Sequence, residues 1–230
     1  MDGRSLRGGR PSLQSRRPVS QAGDWQLRAT HIEFLVEEYS MEIFLQNVVP
    51  RIVPDIEFSV HAHQGKYDLL RKLRKRLKGY AQWLPKDRRI VVLVDRDDEA
   101  CEELKHRLED DAKAAGLSSR TASGSADWQV VSRIAVEELE AWYFGDWDAV
   151  RTCYPKVPAT VANRAGYRSP DAIKGGTWEQ LERVLQAAGY FKGGLEKLAV
   201  ANAVGTRFDP QRCSSPSFVR FRDVLLEATA

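Results

Sequence analysis

From residue 30 onward, apolar and polar positions follow two alternating rhythms: short apolar runs of strand length, then stretches where apolar residues recur every three or four positions. His31-Ile-Glu-Phe-Leu-Val36 is the first run. It breaks at Glu37-Glu38-Tyr39, and Met41, Phe44, Leu45, Val48 and Val49 follow at the spacing of one helix face. A second strand is predicted over Ile56 to His63. Gln64-Gly65-Lys66 then turns into a helix whose Leu69, Leu70, Leu73 and Leu77 form one stripe, while Arg71, Lys72, Arg74, Lys75, Arg76 and Lys78 occupy its other faces. The third run, Arg89-Ile-Val-Val-Leu-Val94, is almost continuously apolar, the pattern of a central parallel strand covered on both sides. It ends at Asp95-Arg96-Asp97-Asp98, and the next helix runs to about Ala115, with Gly116 suited to stop it.

A fourth strand is predicted from Trp128 to Val136, leading into Glu137-Glu138-Leu139-Glu140. Beyond Asp148 the helical patches around Trp178 to Ala188 and Leu195 to Ala203 are punctuated by Gly175-Gly176 and Gly193-Gly194. Strands alternating with helices predict an α/β fold, a mainly parallel sheet flanked by helices. The expected organisation is a disordered basic tail over 1–28, an α/β domain over 29–147 and a helical C-terminal extension over 148–230 that packs on the core.

Composition narrows the classes. The 230 residues are 43% hydrophobic and 29% charged, values of a folded globular chain rather than a fibrous or disordered one. No run approaches the roughly 18 apolar residues of a membrane helix. Cys101, Cys153 and Cys213 are odd in number, far apart and without CxxC pairing, which argues against a disulfide framework or a structural zinc site and points to a reducing cytoplasm. The net charge of +3 conceals an asymmetry: residues 1–30 hold six arginines against two aspartates, leaving 29 basic and 30 acidic residues for the body. Nucleic-acid binding therefore does not follow from the isoelectric point. The tail is either a basic arm for phosphates or a solvated extension, and its Arg-rich, acid-poor composition also resembles a transit peptide.

In doubly wound sheets the functional crevice lies at the carboxyl ends of the strands, and here those ends carry acids. Glu37 and Glu38 follow the first run, Asp95 and Asp97 the third, and Glu137, Glu138 and Glu140 the fourth. In an extended segment positions i and i+2 share a side, so Asp95 and Asp97 are expected to converge while Arg96 points away. Converging carboxylates repel unless a cation lies between them, and a hard divalent ion is the usual solution. The alternative is capping, with Asp97 or Asp98 at the N-terminus of the following helix. His61 and His63 share a strand face, as a transition-metal pair would, but no third ligand has an evident spacing. Lys66, after Gly65 at a helix start, and the basic face with Arg71, Arg74 and Lys75 suit phosphates, or equally a solvated helix surface. Trp142, Tyr143 and Trp147 read as core anchors.

These acids carry a resemblance. A strand ending in Glu and a later apolar strand ending in Asp-x-Asp resemble the TOPRIM domain of topoisomerases, primases and the overcoming-lysogenization-defect nucleases. More closely, Phe34-Leu-Val-Glu37 with Glu42, Val92-Leu-Val-Asp95-Arg-Asp97 and Glu138-Leu-Glu140-Ala-Trp-Tyr143 resemble the TOPRIM-like bacterial family called domain of unknown function 4276. Gly175-Gly-Thr-Trp-Glu179 and Gly189-Tyr-Phe-Lys-Gly-Gly194 extend the resemblance, which spans about residues 31 to 226. One departure is Glu38, where the TOPRIM pattern commonly has Gly.

The resemblance implies a TOPRIM-like sheet and a nuclease acting on DNA or RNA. Glu37 would be the general acid/base, Asp95 and Asp97 would hold Mg²⁺ or Mn²⁺, and Glu42 and Glu140 would support the metal site. It also implies an ATPase partner of the AAA or ABC type in anti-phage defence, and leaves room for a homo-oligomer. A non-catalytic module binding an ATPase or nucleic acid, and a metal-dependent phosphatase, are the alternatives.

Overall fold

The computed structural model describes residues 28–97, 99–124 and 127–230. The tail expected over 1–28 falls almost wholly outside the described residues, as does the capping role considered for Asp98. Four strands, β1 (His31–Val36), β2 (Glu57–Ala62), β3 (Arg88–Asp95) and β4 (Val130–Ala135), form one parallel sheet in the order β2-β1-β3-β4. Helices α1 (Tyr39–Ile52), α2 (Lys66–Tyr80) and α3 (Cys101–Ala115) make the crossovers, with the short α4 (Arg120–Ser123) before β4. All four strands fall where the apolar runs place them, to within one or two residues at each end.

The register explains the near-continuous apolar character of β1 and β3. Ile32, Phe34 and Val36 of β1 and Val91 and Leu93 of β3 face one apolar layer with α1. Leu35, Ile90, Val92 and Val94 face the other, against Leu69, Leu73 and Leu77 of α2 and Leu104 and Leu108 of α3. A central strand that buries both faces has no position for a polar alternation. Gly116 takes the left-handed conformation (φ 79°) that ends α3, as its position predicts.

After β4 the chain forms α5 (Leu139–Gly145), α6 (Trp147–Cys153), α7 (Thr177–Ala187), α8 (Lys197–Arg207) and α9 (Pro216–Ala228). Helix α8 packs on α1, and α9 packs on β4 and α1. One apolar cluster consequently runs from Phe34 and Phe44 through Trp142 to Phe208, Phe218 and Phe221. Trp142 lies at its centre, stacked on Phe221 at 5.2 Å and donating its indole N–H to the Ser217 hydroxyl at 2.9 Å. Helix α9, beyond the helical patches read from the sequence, begins where Ser215 accepts the Phe218 N–H ahead of Pro216 and buries Phe218, Phe221, Leu225 and Ala228. The cysteines Cys101, Cys153 and Cys213 are free. Among the described residues no helix is long and apolar enough to cross a membrane.

Candidate active site

The carboxyl edge of the sheet gathers the acids that follow three strands. Glu37 lies just beyond β1, Asp95 is the last residue of β3, and Glu140 sits in the first turn of α5 beyond β4. All three are buried. The end of β1 is held by the loop after β2: the backbone N–H of His63 and its ring Nδ1 lie 3.1 and 2.8 Å from the Val36 carbonyl, and the Gly65 N–H donates to the Glu37 carbonyl at 2.8 Å. Gly65 makes that turn at φ 86°, a conformation that favours glycine.

Burial dominates the electrostatics. It raises the Glu37 carboxyl to about 7, helped by the charge of Asp97 and opposed by Lys66 and by the backbone N–H of Asp95. Asp95 is pushed well above the carboxylate range by burial first, then by Glu37, Glu140, Glu38 and Asp97. Glu140 is also raised to about 7 by burial, with Lys197 opposing. Two oxygens in this cluster, Glu37 Oε2 and Asp95 Oδ1, are buried without a hydrogen-bond partner. Buried anionic oxygens left unpaired are costly, and either protons or a cation must neutralise them. The donor set, hard carboxylate oxygens only, suits a divalent cation such as Mg²⁺ or Mn²⁺. Among the described residues, however, no three His, Cys, Asp or Glu side chains already stand together at metal-holding spacing.

Asp97 departs from the expected geometry. The strand stops at Asp95, and Asp97 adopts a left-handed backbone (φ 49°), so the alternation that would align it with Asp95 does not extend that far. Its backbone N–H donates to the Glu137 carbonyl at 3.0 Å, and its carboxylate accepts from Lys66 Nζ at 3.0 Å. Lys66 also reaches Glu99 at 2.9 Å and the Arg96 carbonyl at 2.9 Å. These bonds outweigh the burial that would lower its pKa, and hold the ammonium charged. Lys66, expected to meet a phosphate, thus ties α2 to the loop after β3. Nor does Asp97 cap α3, which begins at Cys101 behind Ala100.

The other predicted residues divide. Glu42 lies in the first turn of α1, half-buried, accepting from Gln46 at 3.3 Å, and is not among the charges that act most strongly on Glu37 or Asp95. Glu138 accepts from the Thr177 hydroxyl and the Trp178 N–H, both at 2.9 Å, and so docks the start of α7 at the edge of the cluster. Glu137, at φ 63°, pairs with Arg96. Of the basic residues, Arg71 pairs with Asp68 at 2.9 Å and Arg74 with Asp111 at 2.7 Å, while Lys75 pairs with no carboxylate among the described residues. His61 and His63 part company: His61 meets Glu33 at 2.7 Å and His63 the backbone of Val36.

Two residues that are not acids also enter the site. Lys197, first residue of α8, lies 4.0 Å from Glu38 and 5.1 Å above the Trp178 ring. Burial would lower its pKa, but Glu140, Glu38, Glu138 and Asp95 together raise it. Tyr143 packs its ring on Phe44 at 5.5 Å, as a core anchor does, yet its hydroxyl is buried without a partner. Burial and the charges of Glu140, Glu38 and Asp95 push its pKa well up, so the hydroxyl keeps its proton as a donor. Lys197 reaches the acids only through tertiary packing, whereas Tyr143 lies one turn after Glu140 on α5, within the Glu138–Tyr143 stretch, where the sequence reads it as a core anchor.

The chain is similar to known proteins along most of its length. A family model described as domain of unknown function (DUF4276) matches residues 36–226. Among solved structures the chain is similar to the C-terminal region of the Xanthomonas campestris pv. campestris OLD protein, at 14% identity and a TM-score of 0.42, covering 86% of this chain and 94% of that one. No curated protein matches.

Proposed function

The chain belongs to the DUF4276 family, and from that premise we propose that it is a divalent-metal-dependent, TOPRIM-like nuclease that hydrolyses DNA or RNA phosphodiesters. The observation that carries the reading is the pair Glu37 and Asp95, with the charge of Glu37 raising the Asp95 pKa, buried at the carboxyl edge of a parallel sheet with one unpartnered oxygen each. Asp95 would hold Mg²⁺ or Mn²⁺ with Glu37 beside it, and Asp97 would join on release from Lys66. Glu140, buried in the same cluster, and Glu42 at its margin would support the site. A bound divalent ion there supplies charge stabilisation for the phosphoryl group under attack.

The protein's own groups have separable tasks. Glu37, whose carboxyl burial raises to about 7 in the metal-free protein, would exchange a proton there as the general acid/base. Lys197 places a fixed positive charge beside Glu38 and Glu140, which limits the repulsion that assembling these acids creates. Tyr143 offers a buried O–H to the cluster. Glu138 and Arg96 hold the surrounding loops by the bonds already described. A partner ATPase and a role in anti-phage defence belong to the same proposal and rest on the family resemblance.

The test is incubation of the purified protein with labelled DNA and RNA and Mg²⁺ or Mn²⁺, alone and with any ATPase encoded beside it. Cleavage that disappears in a folded Asp95→Asn variant supports the reading. A folded wild-type protein that cleaves nothing in all these conditions overturns it, and the Lys66–Asp97 ion pair then favours a binding module whose acids are committed to structure.

A further inference from the structure

At the far end of α2 from the acids, Lys72, Lys75, Arg76, Gly79, Tyr80 and Trp83 line an open cavity of about 480 Å³. Lys72, Lys75, Arg76 and Gly79 recur at steps of three and four, so they share one flank of the helix. Trp83, in the turn that follows, is 54% exposed although it is one of the largest side chains in the protein. It is also held in place. Its backbone N–H donates to the Tyr80 carbonyl at 3.0 Å, and its ring packs at 5.4 Å on Tyr80. Tyr80 is buried and fixed in turn by its hydroxyl, which donates to Glu33 at 3.2 Å.

An ordered indole face left open to solvent beside three cations is an arrangement that a solvated helix surface does not explain. The cations are unequally committed: Lys72 meets Asp68 at 2.7 Å, whereas Lys75 meets no carboxylate among the described residues. A flat aromatic surface ringed by positive charge matches a flat base joined to phosphates, and an aromatic face stacks any base whatever its sequence. Such a base must be unpaired, because in a duplex its faces are already covered.

We propose that this cavity seats an unpaired base of a single-stranded nucleic acid on Trp83, with Lys72, Lys75 and Arg76 on the adjoining phosphates. The proposal rests on the nuclease reading for the class of substrate and narrows it to strands with a single-stranded stretch. Its geometry also sets a length. Lys66 at the start of α2 touches the acidic loop and Tyr80 ends the helix, so the two places lie about 21 Å apart at 1.5 Å per residue. At roughly 3.4 Å per stacked nucleotide, a strand needs about six nucleotides to reach both.

The test is fluorescence anisotropy of end-labelled oligothymidylates of 4, 8 and 12 nucleotides, and of a 12-base-pair duplex, with the full chain in EDTA so that binding is read apart from cleavage. Trp83→Ala, checked for an unchanged melting curve, weakens binding of the 8-mer and 12-mer roughly tenfold or more, and Trp83→Phe restores most of it. Lys75→Gln lowers the slope of log affinity against log salt by about 0.7. The duplex is indifferent to Trp83. Equal binding by wild type and Trp83→Ala, an equal loss on duplex and single strand, or no binding of any oligonucleotide by wild type each overturns the proposal. Cleavage scored separately distinguishes the two failures. Metal-dependent cleavage indifferent to Trp83 leaves the nuclease reading standing without this site, while Trp83-dependent binding without cleavage keeps the site and removes the nuclease.

Discussion

Glu140→Gln removes a buried charge while keeping the volume and shape of the neutral carboxyl, so its effect isolates the cost of assembling the acids. Glu140 is 2% exposed, and its folded pKa is raised from 4.5 to about 7 by burial. A carboxyl with a raised pKa binds more protons folded than unfolded between those values, so stability falls as pH rises through that window and is regained on acidification. For a shift from 4.5 to about 7 the linkage amounts to ~3 kcal/mol at pH 7 and to only a few tenths near pH 4.5. The opposing attraction of Lys197 is already contained in that shift. In the metal-free protein, Glu140→Gln is therefore expected to be more stable than wild type by about 3 kcal/mol at neutral pH, and nearly equal to it at about pH 4.5. Urea unfolding in EDTA at the two pH values measures the difference. A Gln variant that is less stable at neutral pH, or a difference that does not change with pH, would refute the claim that the cluster stores unfavourable charge.

Other consequences follow from the same structure. Asp95→Asn also raises the melting temperature of the metal-free protein near neutral pH, because it relieves both burial and repulsion at that carboxylate; a lower melting temperature in EDTA contradicts this. Mn²⁺ at a hundred times its dissociation constant stabilises wild type by about 2.7 kcal/mol, some 5–10 °C in a thermal melt, and leaves Asp95→Asn unmoved. Asp146→Ala, which strips the partner from Arg212 (2.5 and 2.9 Å) and from the Asp209 N–H (2.7 Å), costs about 3 kcal/mol in urea unfolding, and a cost below 1 would show that the bonds are dispensable. Gly176→Ala drives a Cβ into the Glu179 carboxylate at φ 75°, so it lowers stability by about 1–2 kcal/mol in the same assay.

The sheet is legible in the sequence because its central strands are buried on both faces: β3 reads as an unbroken apolar run, and the acids that follow β1, β3 and β4 mark the carboxyl edge by their positions alone. The gathering of Glu37, Asp95 and Glu140 at that edge follows from the same pattern. The local geometry does not. The strand's alternation would carry Asp97 alongside Asp95, but a left-handed turn and the Lys66 ammonium decide where its carboxylate goes, and neither is written in the Asp-x-Asp spacing. Lys197 belongs to the cluster through the packing of α8 on α1, and the Tyr143 hydroxyl through its place one turn after Glu140 on α5. Helix α9 is legible as well, in a start signal at Ser215-Pro216 and an apolar stripe of Phe218, Phe221, Leu225 and Ala228, which the helical patches around Trp178 to Ala188 and Leu195 to Ala203 do not include. Trp83 follows the last turn of α2 among Tyr80, Ala81 and Leu84, where sequence alone does not tell a core aromatic from an exposed one; the fold leaves it open beside the lysines of α2.

Whether Glu37 and Asp95 form a seat for a divalent cation is tested by Mn²⁺ binding without reference to any substrate. Electron paramagnetic resonance of free Mn²⁺, titrated against wild type, Glu37→Gln and Asp95→Asn at about pH 8, reads occupancy directly. Wild type is expected to bind saturably, Asp95→Asn to lose the binding and Glu37→Gln to weaken it. Binding of equal strength in all three proteins, or none to the wild type, would contradict a seat at Glu37 and Asp95.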